Sequence, residues 1–158
     1  MLGSGRMQKI MFVCTGNICR SAMAEKMLEK KVKEKGMDIE VYSCGTYAEN
    51  GDYPTLEAIE TMKEYEINMT NHRATNIRKS NIENMDLVLC ATQNHKNIVT
   101  QLYPKLEGKV YTMKEYVNDT DGGIDISDPW GYSIEIYRKC ALEIERIIEK
   151  ILIKEVRK

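Results

Sequence analysis

IMFVCTGNICRS, residues 10–21, joins a short apolar run to a loop that holds two cysteines, a glycine, an asparagine and an arginine. The run at 9–13 is typical of a fully buried strand. Residues 21–35 then carry helix formers with their apolar side chains roughly on one face, and Gly36 is a typical helix end. The stretch therefore predicts a strand, a tight loop and a helix in direct succession.

The rest of the chain continues this alternation. Further strands are predicted at 39–43, 86–91 and 109–112. Helices are predicted at 54–66 (with Pro54 in the first turn), 93–102 and 133–154, a short helical segment at 77–84 and a loop at 117–132. The pattern indicates a single-domain α/β fold, an open parallel sheet with helices on both faces. Ligands of such sheets bind at the carboxyl ends of the strands, where Cys14 is expected.

The composition fits one globular domain. The chain has 158 residues, of which 42% are apolar and 30% charged, and its net charge is −1. These values exclude disordered and fibrous proteins, and they give no electrostatic reason to expect a nucleic acid or a membrane as partner. No apolar run approaches the roughly 20 residues that a membrane helix needs.

The cysteines and the chain start suggest where the protein works. Five cysteines form an odd number without the spacing of a disulfide framework, and no signal-peptide pattern precedes them, which favours a reducing cytoplasm. Cys44, Cys90 and Cys140 are expected to be buried packing residues. The first six residues, MLGSGR, resemble an added leader, so we expect the natural chain to begin at Met7 and residues 7–158 to form one domain.

The loop at 14–21 has the residue types of an anion-binding site. A strand that turns directly into a helix aims backbone N–H groups and a helix N-terminus at one point. Gly16 and Asn17 tolerate the unusual backbone angles of such a loop, and Arg20 can donate to two oxygens of a tetrahedral anion. Ser21 fits a helix N-cap and could hydrogen-bond the Cys14 thiol. The same positive field favours the thiolate of Cys14, so the loop would supply both an anion site and a nucleophile. A nucleotide-binding P-loop pattern is absent.

A phosphoryl transfer to sulfur also needs a proton donor for the departing oxygen. The candidate is Asp128 in SDPWGYS, because Pro129 keeps the preceding residue extended. Asp119, Asp121 and Asp125 lie nearby, but none of them precedes a proline. From these residues alone, an ordinary turn aspartate before the last helix remains an equally good interpretation of Asp128.

These segments together resemble the low-molecular-weight protein tyrosine phosphatases. CTGNICRS near the start, YSCGT at 42–46, NHRA at 71–74 and DPWG near the end occur in the order of that family. The resemblance implies a four-stranded parallel sheet of order 2-1-3-4 and a two-step reaction without metal or cofactor. Cys14 would attack phosphorus to form a phosphocysteine, Arg20 and the loop amides would hold the phosphate oxygens, and Asp128 would act as general acid and then base.

The resemblance also assigns the residues around the nucleophile. Asn17, Ser21, Ser43 and His72 match a supporting hydrogen-bond network, and Ser21 matches the residue that stabilises the leaving thiolate. The remaining loop positions, Thr15, Gly16, Ile18 and Cys19, match the phosphate-binding segment. Cys19 could form a reversible disulfide with Cys14 under oxidation and so protect it, or it could be a small packing residue.

One position departs from the family pattern. Many members carry a carboxylate after the third strand that orients the loop arginine, whereas this chain has ATQN at 91–94, with Thr92 nearest. What orients Arg20 is therefore an open question for the structure.

The substrate follows from the residues expected at the pocket walls. Some bacterial relatives dephosphorylate arginine and carry a threonine where this chain has Ile18. An isoleucine packs against a phenyl ring and offers nothing to a guanidinium, and Trp130 and Tyr132 could flank the ring. We therefore expect phosphotyrosine, with phosphoarginine as the alternative. A monomeric enzyme acting on phosphorylated proteins or peptides and releasing inorganic phosphate is expected, without nucleic-acid or membrane partners.

Other functions fit the pattern less well. Thioredoxin-linked arsenate reductases share this loop but need two more cysteines after the third strand, and only Cys90 lies near such a position. A non-catalytic anion-binding module would lack the nucleophile or the acid, and this chain has candidates for both. A zinc site is not expected, since His72 and His95 lack ligand-like spacing to the loop cysteines.

Overall fold

The computed structural model describes residues 7–157, so the expected leader at 1–6 lies outside the described residues. Four strands form one sheet: β1 (Gln8–Cys14), β2 (Ile39–Gly45), β3 (Leu87–Cys90) and β4 (Val110–Thr112). All neighbours are parallel and the order is β2-β1-β3-β4. The predicted fold class, an open four-stranded α/β sheet of order 2-1-3-4, is confirmed.

The connections between the strands are mostly helical. The helices are α1 (Arg20–Lys35), α2 (Leu56–Lys63), α3 (Gln93–Leu102), α4 (Met113–Tyr116) and α5 (Ile134–Val156). Short 3-10 turns occur at Ile77–Lys79, Ile82–Asn84 and Pro104–Leu106. The segment predicted to be helical at 77–84 is thus two separate turns, and residues 117–132 form a loop as predicted.

The second helix differs from its prediction at both ends. Its N-cap is Thr55, whose side chain accepts a hydrogen bond from the amide of Ala58, so Pro54 lies before the helix and not in its first turn. The helix ends at Lys63, and Glu66 has a φ of 59°. The left-handed backbone at Glu66 turns the chain away although the apolar pattern continues through Tyr65.

The sheet is covered on both faces, which explains the uninterrupted apolar run of β1. Ile10 and Phe12 belong to the larger core cluster, which includes residues of α1 and α5. Met11 and Val13 belong to a second cluster with Val99 of α3. Because side chains alternate along a strand, a strand between two packed layers must be apolar at every position.

The last helix closes the larger core cluster. The apolar side chains that it buries include Tyr137, Cys140, Ala141, Ile144, Ile147, Ile148 and Ile151. No helix within residues 7–157 is both long and apolar enough to cross a lipid bilayer. The loop that follows β1 and the loop that precedes α5 meet at the carboxyl edge of the sheet.

Candidate active site

Cys14 is the last residue of β1, and its side chain is buried at the base of the loop. The sulfur lies 2.9 Å from Oγ of Ser21 and accepts a hydrogen bond from the Ser21 amide at 3.4 Å. Helix α1 begins at Arg20, with Cys19 in the N-cap position. The prediction that Ser21 is the N-cap is therefore wrong: Cys19 still has non-helical backbone angles, and Ser21 lies within the helix, where its hydroxyl contacts Cys14.

Asn17 lies at the centre of the supporting network. It is fully buried and adopts a φ of 58°, a left-handed conformation that asparagine tolerates better than most residues. Its side-chain amide donates to the hydroxyls of Ser21 and Ser43, each at 2.8 Å, and its Oδ1 accepts from the Thr75 amide at 2.9 Å. Nε2 of His72 lies 2.7 Å from its carbonyl oxygen. The structure thus brings together all four residues predicted for this network.

Glu25 of α1 extends the network and was not singled out in the sequence. Ser43 donates its hydroxyl hydrogen to Oε1 of Glu25 at 2.5 Å, and Nδ1 of His72 lies 3.8 Å from the same oxygen. Burial raises the pKa of Glu25 and lowers the pKa of His72. A glutamate in an amphipathic helix carries no sequence signal that distinguishes it from an exposed one.

Gly45, at the end of β2, lets the chain approach the loop closely. A Cβ built at this glycine would lie 2.4 Å from the carbonyl oxygen of Thr15 and 2.9 Å from Cβ of Ala48. The next two amides, of Thr46 and Tyr47, donate to the carbonyls of Cys14 and Thr15 at 2.9 Å. Only glycine fits here, because any side chain would push the loop out of reach of these amides.

The structure answers what orients Arg20. Its side chain is buried, and Nη1 donates to the carbonyl oxygen of Ile126 at 2.7 Å. The amide of Ile126 in turn donates to the carbonyl of Ala91 at 2.8 Å, at the end of β3. Nη2 lies 3.5 Å from Oδ2 of Asp128. Within residues 7–157, Nε of Arg20 is buried without a hydrogen-bond partner, so that N–H group can donate to an anion.

Thr92, the position nearest to the family's carboxylate, contacts a histidine. Its hydroxyl oxygen accepts from the His95 amide at 3.2 Å, which caps α3, and lies 2.7 Å from Nδ1 of His95. Nε2 of the same ring lies 2.8 Å from the hydroxyl oxygen of Thr15 in the loop. Burial, and secondarily the charge of Arg20, lowers the pKa of His95 to about 4. No sequence pattern indicates this contact, because residues 15 and 95 are brought together only by the fold.

Asp128 and Cys14 line the same pocket, which has a volume of about 250 Å³. The side chain of Asp128 is half exposed, and its Oδ1 accepts from the Trp130 amide at 3.1 Å. The residues that line the pocket are Cys14, Thr15, Gly16, Ile18, Cys19, Arg20, Asp128 and Trp130. The cavity therefore brings together Trp130 and seven of the residues predicted for the loop or for catalysis. Tyr132 is exposed and does not line the cavity.

The remaining cysteines are buried free thiols. Cys19 lies 3.2 Å from the hydroxyl of Tyr137 and 3.7 Å from that of Thr55, and burial raises its pKa to about 11. Burial also raises the pKa of Cys44 and Cys140, to about 12 in each, and that of Cys90 well above its usual range. Among the described residues, no cluster of three or more histidine, cysteine or acidic side chains could hold a metal ion.

Comparison with known proteins gives a consistent family. Residues 9–158 match the family described as low molecular weight phosphotyrosine protein phosphatase. The chain is 38% identical over 143 residues to a protein-arginine-phosphatase of Geobacillus stearothermophilus, covering 90% of this chain and 93% of that protein.

Solved structures agree with this assignment. A low molecular weight protein tyrosine phosphatase from T. tengcongensis superposes with a TM-score of 0.87 at 38% identity, over 93% of this chain and 99% of that one. A cysteine-to-serine mutant of the YwlE arginine phosphatase with a phosphorylated active-site serine superposes with a TM-score of 0.88 at 34% identity, over 96% and 97% of the two chains. This chain belongs to the low-molecular-weight phosphotyrosine protein phosphatase family.

Proposed function

We propose that this protein is a phosphatase that hydrolyses phosphotyrosine in proteins through a phosphocysteine intermediate on Cys14. The observation that carries the proposal is the shared cavity, which is lined by a buried cysteine sulfur, by an arginine whose Nε has no hydrogen-bond partner within residues 7–157, and by a half-exposed carboxylate. A nucleophile, an oxyanion site and a proton donor are the three groups that this hydrolysis requires. Residues 7–158 would form the single phosphatase domain.

In the first step, the thiolate of Cys14 attacks phosphorus from the floor of the pocket. An S–P bond forms while the bond from phosphorus to the phenolic oxygen breaks, and Asp128 gives its proton to that oxygen. Asp128 suits this task because it lines the pocket with its side chain half exposed, so it can meet a leaving group on the side away from the buried sulfur. In-line geometry of this kind is typical of phosphoryl transfer.

In the second step, a water molecule attacks the phosphocysteine. Asp128, now ionised, accepts a proton from the water, the S–P bond breaks, and inorganic phosphate leaves. The departing thiolate of Cys14 is stabilised by the hydroxyl and the amide of Ser21, which both contact the sulfur. The phosphorylated active-site serine in the YwlE mutant supports a covalent phosphoenzyme in this family.

Throughout both steps, Arg20 would balance the charge of the transferred phosphoryl group. Its guanidinium is held through Nη1 by the Ile126 carbonyl, which leaves Nε, unpartnered within residues 7–157, for a phosphate oxygen. A preorganised donor of this kind stabilises charge without rearranging in the transition state. The amides of residues 15–20 would hold the remaining oxygens.

The pocket walls favour an aromatic substrate. Ile18 and Trp130 both line the cavity, and they present apolar surface to whatever enters. Among the described residues, Asp128 is the one acidic side chain in the lining, and its Oδ2 lies 3.5 Å from Nη2 of Arg20. A guanidinium would therefore find one shared carboxylate, whereas a phenyl ring would bury apolar area on two sides.

Phosphoarginine is the second candidate, because a relative 38% identical to this chain is named a protein-arginine-phosphatase. The test is to measure kcat/KM on peptides of matched sequence that carry phosphotyrosine or phosphoarginine. We expect the phosphotyrosine peptide to be hydrolysed faster and Ile18→Thr to shift the ratio toward phosphoarginine. Faster hydrolysis of the phosphoarginine peptide by the unmodified chain would overturn the assignment.

The covalent mechanism has its own test. Cys14→Ser should retain binding of inorganic phosphate and lose turnover of p-nitrophenyl phosphate, because the anion site remains and the nucleophile does not. Appreciable turnover by that variant would remove Cys14 from its role. Turnover of arsenate with thioredoxin by the unmodified chain would favour a reductase instead.

We also propose that the enzyme is a cytoplasmic monomer whose activity responds to oxidation. Cys14 and Cys19 both line the pocket and are free thiols, which supports a reversible disulfide between them under peroxide. The contacts of Cys19 with Tyr137 and Thr55 would have to break first. Mass spectrometry of peptides after peroxide treatment would detect the 14–19 link.

A further inference from the structure

Residues 91–95, which are the turn after β3 and the first three residues of α3, contact both loops of the proposed active site. On one side they hold the loop that carries the general acid. The carbonyl of Ala91 accepts from the Ile126 amide at 2.8 Å, and the amide of Gln93 donates to Oδ1 of Asp125 at 2.8 Å. These two bonds fix the segment just before Asp128 and the carbonyl that orients Arg20.

On the other side the same residues reach the phosphate-binding loop through His95. The imidazole bridges the hydroxyls of Thr92 and Thr15, at 2.7 Å from Nδ1 and 2.8 Å from Nε2. His95 is buried, with 3% of its surface exposed, so its ring is held away from water, whereas Thr15 is exposed at the pocket. Thr15 follows the nucleophile directly and lines the pocket.

We propose that His95 is a positioning residue for the phosphatase reaction, and that it fixes Thr15 and the start of the phosphate-binding loop to the turn that also holds the general-acid loop. The inference rests on the proposed phosphatase function. Through this link Cys14 and Asp128 are held at a constant separation, which is needed when the phosphoryl group passes to sulfur while the acid protonates the leaving oxygen.

The neutral form of the ring suits this bridge. A neutral imidazole has one N–H donor and one acceptor nitrogen, so one threonine hydroxyl donates to it and the other accepts from it. The lowered pKa of His95, about 4, keeps the ring neutral at neutral pH. The backbone carbonyl of Thr15 is held separately by the Tyr47 amide at 2.9 Å. Removal of the ring would therefore loosen the Thr15 side chain without detaching the whole loop.

The first measurement compares His95→Ala with Val99→Ala in steady-state kinetics on p-nitrophenyl phosphate. Val99 is fully buried one turn later in the same helix and belongs to the core cluster behind the sheet, so its variant controls for lost stability. We expect His95→Ala to lower kcat/KM by about tenfold, the size of one lost hydrogen bond, and to weaken inhibition by inorganic phosphate. Val99→Ala should lose stability in urea but keep kcat/KM within about twofold at 25 °C.

A double-mutant cycle with Thr15→Val separates positioning from general support. If His95 acts through the Thr15 hydroxyl, His95→Ala should cost little further activity in the Thr15→Val background. His95→Gln, which can place an amide near the position of Nε2, should recover most of the lost activity. Additive losses in the cycle, or a His95→Ala variant as active as the unmodified chain, would overturn the inference. An unmodified chain without phosphatase activity would instead overturn the proposed function.

Discussion

Replacing Asn17 with alanine should be among the most damaging single changes to the phosphate-binding loop. The side chain makes three hydrogen bonds, to Ser21, Ser43 and the Thr75 amide, all between 2.8 and 2.9 Å and all within the fold. At about 1 kcal/mol net for each bond, their loss costs about 3 kcal/mol. The left-handed backbone adds about 1 kcal/mol for alanine, which tolerates this conformation poorly. The expected destabilisation is therefore about 4 kcal/mol.

The two contributions can be separated by comparing Asn17→Ala with Asn17→Gly. Glycine loses the same three hydrogen bonds but adopts a φ of 58° without strain. The glycine variant should therefore be about 1 kcal/mol more stable than the alanine variant, a reversal of the usual order of these residues. Urea unfolding followed by circular dichroism gives both free energies, provided that the slopes of the transitions agree.

Two results would refute this reasoning about Asn17. A loss below about 1 kcal/mol in the alanine variant would mean that the buried hydrogen bonds do not stabilise the loop. A glycine variant that is no more stable than the alanine variant would mean that the backbone conformation carries no strain. Inorganic phosphate should protect the unmodified chain against urea, and both variants should lose most of that protection, because the loop that binds the anion is the part that loosens.

Three further predictions concern Gly45, Asp128 and the two buried histidines. Gly45→Ala should lower the free energy of unfolding in urea by about 3 kcal/mol, because the new Cβ would meet the carbonyl oxygen of a loop residue. The control Gly122→Ala, whose Cβ would have its nearest atom 4.0 Å away, should change that free energy by less than about 0.5 kcal/mol. Equal effects of the two changes would contradict the close contact at Gly45. Asp128→Ala should reduce hydrolysis of phenyl phosphate far more than that of p-nitrophenyl phosphate, whose leaving group scarcely needs a proton, and equal losses would argue against a general acid. Burial lowers the pKa of His95 to about 4 and also lowers the pKa of His72. Because both rings take up protons on unfolding below about pH 6.5, the free energy of unfolding should fall as the pH drops from 6.5 toward 4. Urea midpoints that stay flat over this range, or that fall equally in His95→Gln, would contradict the assignment to His95.

The strands were predictable because a parallel sheet covered on both faces needs continuous apolar runs. The segment predicted at 9–13 is β1, and the one at 109–112 contains β4 (Val110–Thr112). The short helix α4 was missed although its signal is present. Thr112 and Glu115 form a capping box, in which each side chain accepts a hydrogen bond from the other's backbone amide. A single turn has no periodicity to detect, so only this local motif could have indicated it.

The site divides into a part that the sequence reveals and a part that it does not. Cys14, Arg20 and Ser21 lie in one contiguous motif, so their proximity follows from eight residues of chain. Asp128 is distant in sequence: Pro129 made it a candidate acid, and the family resemblance assigned it that role. His95 was considered in the sequence only as a zinc ligand, and its contact with Thr15 depends on the register of β1 beside β3. Long-range contacts of this kind have no local pattern.

The acceptor that orients Arg20 could not be predicted from any residue type. The family pattern places a carboxylate after β3, but the acceptor in this chain is the backbone carbonyl of Ile126, a group that every residue possesses. A neutral acceptor changes the electrostatics of the site, since it holds the guanidinium in place without cancelling its charge. The acidic group closest to Arg20 in the pocket, Asp128, is half exposed and lies 3.5 Å away, so much of the positive charge remains for a phosphate dianion. The Ile126 carbonyl thus orients the guanidinium, while the charge of Arg20 itself attracts the phosphate.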